Sequence, residues 1–181
     1  MEDSDRLAWH RAAQQSFAGV LAGVSTAQLD DPTPCAEWTV RDLIDHVIAG
    51  NLRVAGQPAP GPLDAASMLD AARDSAAVAE ATFEAPDGIS RTYDLGIGTV
   101  PGVMFLTLRT GDLFTHAWDL ARATGQPNDL DPELAERILE MVTPLLRPEL
   151  RGEGRPFGDE QPCDSTAPAP DRLAAFCGRT V

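Results

Sequence analysis

The sequence predicts an all-α protein, an up-and-down four-helix bundle with an additional C-terminal helix and an irregular tail. Three observations carry this expectation. Apolar residues recur at helical spacing in several long segments. Pro/Gly-rich breaks separate those segments. The one stretch that alternates, Ile89 to Ile97, is too short and isolated to argue for a sheet. With 181 residues, 43% of them hydrophobic, the chain is long enough for one domain with a buried core.

The elements follow in order. Residues 4–24 carry Leu7, Phe17, Val20, Leu21 and Val24, and the later members recur at helical spacing. Residues 25–37, with Pro32 and Pro34, read as a loop. The second helix has the best-marked start. Thr39 is a natural N-cap, Asp42 stands three residues on in a capping-box arrangement, and Trp38 and Leu43 occupy the positions of a hydrophobic staple. That helix is expected to reach about Leu52. Gln57 to Pro62 turns the chain, and residues 63–84 suit a third helix. A long helix from Val103 to Thr124 follows, with Gly125 placed to cap its C-terminus. Asp131 and Pro132 read as N-cap and N1 of a further helix through about Leu146. Residues 147–170 show no periodicity, and Asp171 to Cys177 suits a short helix that docks back. The expected organisation is a bundle over 1–146 and a tail with a docking helix over 147–181.

Charge excludes several classes of partner. The formal net charge is −14, which repels nucleic acid and disfavours an anionic membrane. No apolar run is long enough to span a bilayer, and the acidic start, Met1 to Arg11, does not read as a signal peptide. Cys35, Cys163 and Cys177 form no CxxC and no regular framework, which points to a reducing compartment and a cytoplasmic protein. Abundant Ala, Asp and Arg over Lys point to a GC-rich bacterial source.

Only three histidines occur: His10, His46 and His116. Asp112 and His116 stand four apart on the long helix, so both project from one face, in line with Phe105, Leu108 and Leu120. A carboxylate in an apolar stripe is costly unless paired or coordinated. His46 lies between Leu43, Val47 and Gly50, again on an apolar side. Two imidazoles and one carboxylate from facing helices would supply three ligands to a divalent metal and leave positions open. The donor set suits zinc, iron(II) or nickel. The plainer alternative is an ordinary i,i+4 polar pair beside a core histidine.

Two segments carry a family resemblance: TPCAEWTVRDLIDH over residues 33–46 and GDLFTHAWDLARATG over 111–125. They resemble the metal-binding domain of mycothiol-dependent maleylpyruvate isomerases, and more closely a group of short actinobacterial proteins of the same type within the DinB-like superfamily. Phe157-Gly158 and residues 171–179 (DRLAAFCGR) also resemble that short group. The resemblance implies a helix bundle whose metal ligands are His46, Asp112 and His116, with zinc foremost and nickel or iron as alternatives. It also implies mycothiol as a thiol cofactor and a small electrophilic molecule as substrate. Two departures stand out: Asp112 takes the place of a glutamate, and residues 147–181 stand where the isomerases carry a second domain. Maleylpyruvate isomerisation is therefore not the expected reaction. The expectation is a divalent-metal-binding, thiol-dependent transferase or isomerase. The alternatives are a metal-dependent hydrolase, or a non-catalytic bundle that binds a small ligand or dimerises.

Other residues receive plainer readings. Arg109, one turn before Asp112, is a candidate for binding an anionic substrate or the carboxylate of a thiol cofactor, or for pairing with Asp112. Asp119 is expected to pair with Arg122 rather than orient an imidazole. Asp42 is expected to cap its helix rather than ligate. Trp38 and Trp118 are read as core or staple residues, Cys35 as a buried inert thiol, and His10 as a surface residue.

Overall fold

The computed structural model describes residues 2–94, 98–148, 151–152 and 157–181. Six helices make up most of them: α1 (Asp3–Leu21), α2 (Val40–Val54), α3 (Met68–Glu84), α4 (Gly102–Thr124), α5 (Pro132–Val142) and α6 (Ala169–Phe176). A short antiparallel hairpin, β1 (Thr92–Asp94) and β2 (Thr99–Pro101), precedes α4. The all-α class therefore holds. The hairpin departs from the expectation for Ile89–Ile97, of which residues 95–97 lie outside the described residues.

Local chemistry sets the helix ends. Thr39 Oγ1 accepts from the Asp42 N–H at 3.2 Å, and the Asp42 carboxylate accepts from the Thr39 N–H at 2.9 Å. The capping box is thus complete, and Asp42 is committed to it. Asp131 accepts from the amides of Glu133 and Leu134, with Pro132 at N1. Gly125 ends α4 in the left-handed conformation that its lack of a Cβ permits. Three ends differ from the sequence reading. The chain turns at Ala22, so α1 stops at Leu21. Asp64 accepts from the backbone and hydroxyl of Ser67, holding residues 64–67 in a turn, so α3 starts only at Met68. Helix α5 stops at Val142, short of Leu146.

Helices α1 to α4 form the bundle. α1 and α2 each pack against both α3 and α4. Direction follows from the pairs that touch. Arg6 reaches Thr107 and His10 reaches Thr110, so α1 and α4 run the same way. His46 lies by Asp112 while Asn51 holds Arg109, so α2 and α4 run opposite. His10 packs edge-on to Phe83, Arg11 pairs with Glu84 and Gln14 sits one residue from Ser75 through Asn51, so α1 and α3 also run opposite. Helices α2 and α3 are consequently parallel, joined by the crossover over residues 55–67. A strict up-and-down order gives way at that point, because that crossover is long enough to return the chain to the starting end.

The main core fills the bundle with Phe17, Leu43, Val47, Leu113, Phe114 and Ile138. Helices α5 and α6 pack on each other and on α4, and Leu173 of α6 is fully buried. A smaller core of Phe83, Tyr93, Phe105 and Leu106 lies under the hairpin. Among the described residues no helix is long and apolar enough to cross a membrane.

His10 is not a surface residue. It is 1% exposed, its Nδ1 is 3.3 Å from Thr110 Oγ1, and its ring packs edge-on to Phe83. It lies on the one face of α1 that meets α3 and α4, which its polar sequence neighbours disguise. Burial, with the nearby charges of Arg109 and Arg11, lowers its pKa from 6.5 to about 3. The depressed folded value means that the unfolded chain binds the extra proton. The stability due to neutral His10 is fully present above pH 6.5 and is lost as pH falls towards 3. The loss reaches about 2 kcal/mol by pH 5. Urea denaturation with EDTA present should show wild type losing about 2 kcal/mol more stability than His10→Asn between pH 7.5 and 5, a difference in which the opposite contribution of His116 cancels. His10→Asn should start less stable but fall less over the same interval.

Candidate metal centre

The site is built where α2 and α4 run antiparallel past each other. Arg109, Asp112, His116 and Asp119 recur every three or four residues and so share one face of α4. His46 faces them from α2. His116 Nε2 is 3.3 Å from Asp112 Oδ1, and His46 Nε2 is 3.5 Å from Asp112 Oδ2. The two imidazole centroids are 4.9 Å apart, and one donor atom from each of the three residues lies within 4.8 Å of the others. Ligands held at zinc–nitrogen and zinc–oxygen distances in a tetrahedron stand about 3.4 Å from one another. His46 Nε2 is buried and has no hydrogen-bond partner among the described residues. An orphaned ring nitrogen aimed at a carboxylate and a second imidazole is a donor set fit for a divalent cation. The sequence-predicted trio is thus brought together.

The neighbours fix this arrangement. His116 Nδ1 donates to Asp119 Oδ2 at 3.0 Å. That bond keeps a proton on Nδ1, so when the ring gives up its second proton it is Nε2 that faces Asp112 and His46 with a lone pair. Arg179, from the end of the tail, donates to both Asp119 oxygens, with Nη2 to Oδ2 at 2.7 Å and Nε to Oδ1 at 3.0 Å. Asp119 therefore orients the imidazole and does not pair with Arg122, whose guanidinium lies over the Trp118 ring instead. Trp38 packs on both imidazoles, 4.7 Å from the His46 centroid and 5.7 Å from that of His116. It is a wall of the site. Trp118 is a core residue whose indole N–H donates to Asp171.

Arg109 donates to Asp112 Oδ2 at 2.5 Å and to Asn51 Oδ1 at 3.0 Å. Asn51 in turn bonds Gln14 and Ser75. The guanidinium lies flat against Gly50, where any Cβ would collide with it. The absence of a side chain at 50 is what lets Arg109 cross between the helices.

Electrostatics follow from burial. Burial alone would raise the Asp112 carboxyl, but the charges of His116 and Arg109 hold it well below the usual carboxylate range. Burial opposes a charge on His116, yet Asp112 and the hydrogen bonds from its neighbours carry its pKa well above 6.5 in the metal-free site. Asp119 is lowered against its burial by His116 and Arg179.

Cys35 is not an inert thiol in the core. Its Sγ accepts from Arg179 Nη2 at 2.8 Å and sits 3.6 Å from Asp119 Oδ2. Cys35, His116 and Asp119 also cluster closely enough to hold a cation. Arg179 Nη2 already donates to both the sulfur and the Asp119 carboxylate, a cation in the place of another, so His46, Asp112 and His116 are the better donor set.

Two cavities meet at the trio. One of about 370 Å3 has largely apolar walls from Val100, Met104, Phe105 and Leu108. The other, of about 560 Å3, is more polar and is lined by Cys35, Glu37, Thr115 and Arg179. His46, Asp112 and Phe157 border both. Sequence reasoning missed Asp119 as a positioning group and missed Arg179 altogether. The only available signal was the acid three residues after His116.

The structure is thus a helix bundle that brings two imidazoles and a carboxylate together on facing helices beside two cavities, the arrangement from which metal sites in such bundles are built. The chain belongs to the family described as the mycothiol maleylpyruvate isomerase N-terminal domain, whose model matches residues 10–121. Two relatives from Mycobacterium tuberculosis strains, Uncharacterized protein Rv0738 and Uncharacterized protein MT0763, are each 51% identical over 180 residues, covering 98% of this chain and 99% of theirs. The fold is similar to that of the solved mycothiol-dependent maleylpyruvate isomerase, with TM-score 0.64, 19% identity, and 77% of this chain and 68% of that one covered. A histidine-to-alanine mutant of such an isomerase aligns with TM-score 0.68, 18% identity, and coverage of 86% and 73%.

Arg179 should be worth much to stability, because Asp119 is fully buried and loses its main counter-charge without it. Arg179→Ala should lower the unfolding free energy in urea by about 3 kcal/mol, and Arg179→Lys by less. Arg137→Ala, which removes an exposed pair with Glu140, should stay within about 0.5 kcal/mol of wild type.

Proposed function

We propose that the chain holds one divalent metal ion, zinc foremost, through His46, Asp112 and His116, and uses it with mycothiol to transfer or isomerise a small electrophile. The observation that carries this reading is the convergence of the three donors around an unpartnered His46 Nε2. Membership of the mycothiol isomerase family supports the choice of thiol.

The roles of the chain's own residues follow. Asp119 keeps the His116 Nδ1 proton in place and so keeps Nε2 free to ligate. Arg109 holds Asp112 in one orientation and balances its charge. Being tied to Asp112 and Asn51, it serves the site as a positioning residue more than as a cofactor anchor. Trp38 covers the imidazoles and excludes water from one side. A divalent ion at this point would lower the pKa of a thiol bound to it and supply a nucleophile near neutral pH. The polar cavity suits a sugar-bearing thiol, since Glu37, Thr115 and Arg179 offer it hydrogen-bonding groups. The apolar cavity suits the electrophile. The two would then approach the trio from opposite sides of Phe157.

Metal analysis of purified protein should find about one divalent equivalent in wild type and much less in His46→Ala and His116→Ala. Equal contents in all three would refute the metal site. With metal bound, saturating mycothiol should raise the melting temperature by roughly 5–10 °C, and glutathione or bacillithiol should do far less. No thiol response in metal-loaded protein would refute the thiol-dependent reading.

A further inference from the structure

The apolar cavity carries a chemical signature of its own. It is a trench between the antiparallel α2 and α4, with the β2 segment along one side. His46 and Asp112 stand at one end. Moving away from them, Ala49, Gly50 and Arg53 follow on α2, and Leu108, Phe105 and Met104 on α4. Arg53 lies about two turns beyond His46, which places it about 10 Å further along the helix axis. It is exposed, it borders the cavity, and no described carboxylate pairs with it. The other guanidinium of the trench, Arg109, is committed to Asp112 and Asn51. On a chain of net charge −14, an unpaired arginine beside an apolar trench is a local exception.

We infer that this trench binds an amphipathic organic acid, its apolar chain or ring between α2 and α4 and its carboxylate on Arg53. The inference deepens the proposed function, since it rests on that reading for the statement that this molecule is the electrophile. A guanidinium is suited to hold a carboxylate through two parallel hydrogen bonds. The apolar walls reject a compact, fully hydrated polyacid, which would leave its remaining charges without partners. The cavity of about 370 Å3 lies near the lower end of the roughly 300–1,000 Å3 that small-molecule pockets span, a size that suits a small acid. A chain held by its carboxylate at Arg53 and extending about 10 Å brings its far end to His46 and Asp112. The acid is thereby selected by length as well as by charge. Arg53 also stands in the last turn of α2, where a cation favours the helix dipole with no ligand at all. The experiment separates the two roles.

Sodium octanoate is a probe of suitable length, octanamide its uncharged counterpart, and acetate the headgroup alone. Each is titrated calorimetrically into the full-length protein, as purified and after removal of metal with EDTA. Octanoate should saturate one site in both forms, and Arg53→Gln should weaken it at least ten-fold in both. Octanamide should bind wild type and Arg53→Gln alike, and acetate should give no saturable binding. Leu108→Trp, which fills the trench, should abolish octanoate binding while retaining the wild-type circular dichroism. Equal octanoate affinity in wild type and Arg53→Gln, or no saturable binding to wild type, overturns the inference. Loss of binding in Arg53→Gln alongside unchanged metal content in His46→Ala would uphold the trench and refute the metal reading. The reverse pattern would do the opposite.

Discussion

One constraint organises the molecule: charges inside a helix bundle must be answered by other charges or by hydrogen bonds. Helix α4 brings Arg109, Asp112, His116 and Asp119 inward on a single face. The answer is a continuous ladder. Arg179 holds Asp119, Asp119 holds His116, His116 meets Asp112, Asp112 holds Arg109, and Arg109 holds Asn51. Gln14 and Ser75 complete it from α1 and α3. Every bundle helix and the tail therefore contribute to one polar seam through an otherwise apolar interior. Beside it His46 Nε2 has no hydrogen-bond partner among the described residues and faces both Asp112 and His116, and that convergence is what marks the point where a ligand belongs.

The seam also accounts for features that packing alone does not. Gly50 leaves the room through which a guanidinium passes between α2 and α4, and a Cβ there would displace it. His10 stays neutral because it is buried close to Arg109, outside the ladder and on the wrong side of its charge balance. The parallel course of α2 and α3 lets Asn51 and Ser75 meet at the same level of the bundle, which steadies the far end of Arg109.

Much of the fold was legible because its signals are local. The Thr39–Asp42 box, Asp131-Pro132 and Gly125 each act within a few residues, and each sits where sequence reasoning puts it. The trio was legible for a related reason: Asp112 and His116 interrupt an apolar stripe, and the rarity of histidine makes a second inward one, His46, conspicuous. What escaped was non-local. Arg179 is sixty positions from Asp119, so no periodicity links them. The local alternative, Arg122, was the natural choice until Trp118 was seen to occupy it. Cys35 precedes its helix in a loop, and only the tertiary fold brings it to Arg179. His10 carries polar neighbours on both sides, and burial of one face of α1 cannot be read from them. The alternation near the hairpin is too short and isolated to mark strands.

The tail is best understood through the same seam. Helix α6 buries Leu173 against the bundle and holds Trp118 through Asp171. That docking aims the following residues at the site, where Arg179 neutralises Asp119 and forms part of the polar cavity wall. Removing such a segment would open one side of the cavity and leave a buried carboxylate without its guanidinium partner. The segment therefore has two physical jobs that a separate domain could share between its own residues: closing the cavity and balancing the seam. The hairpin before α4 closes the opposite side with apolar rather than charged groups. The chemical contrast between the two cavities thus comes from the two segments that flank the bundle, while the bundle itself supplies the donors between them.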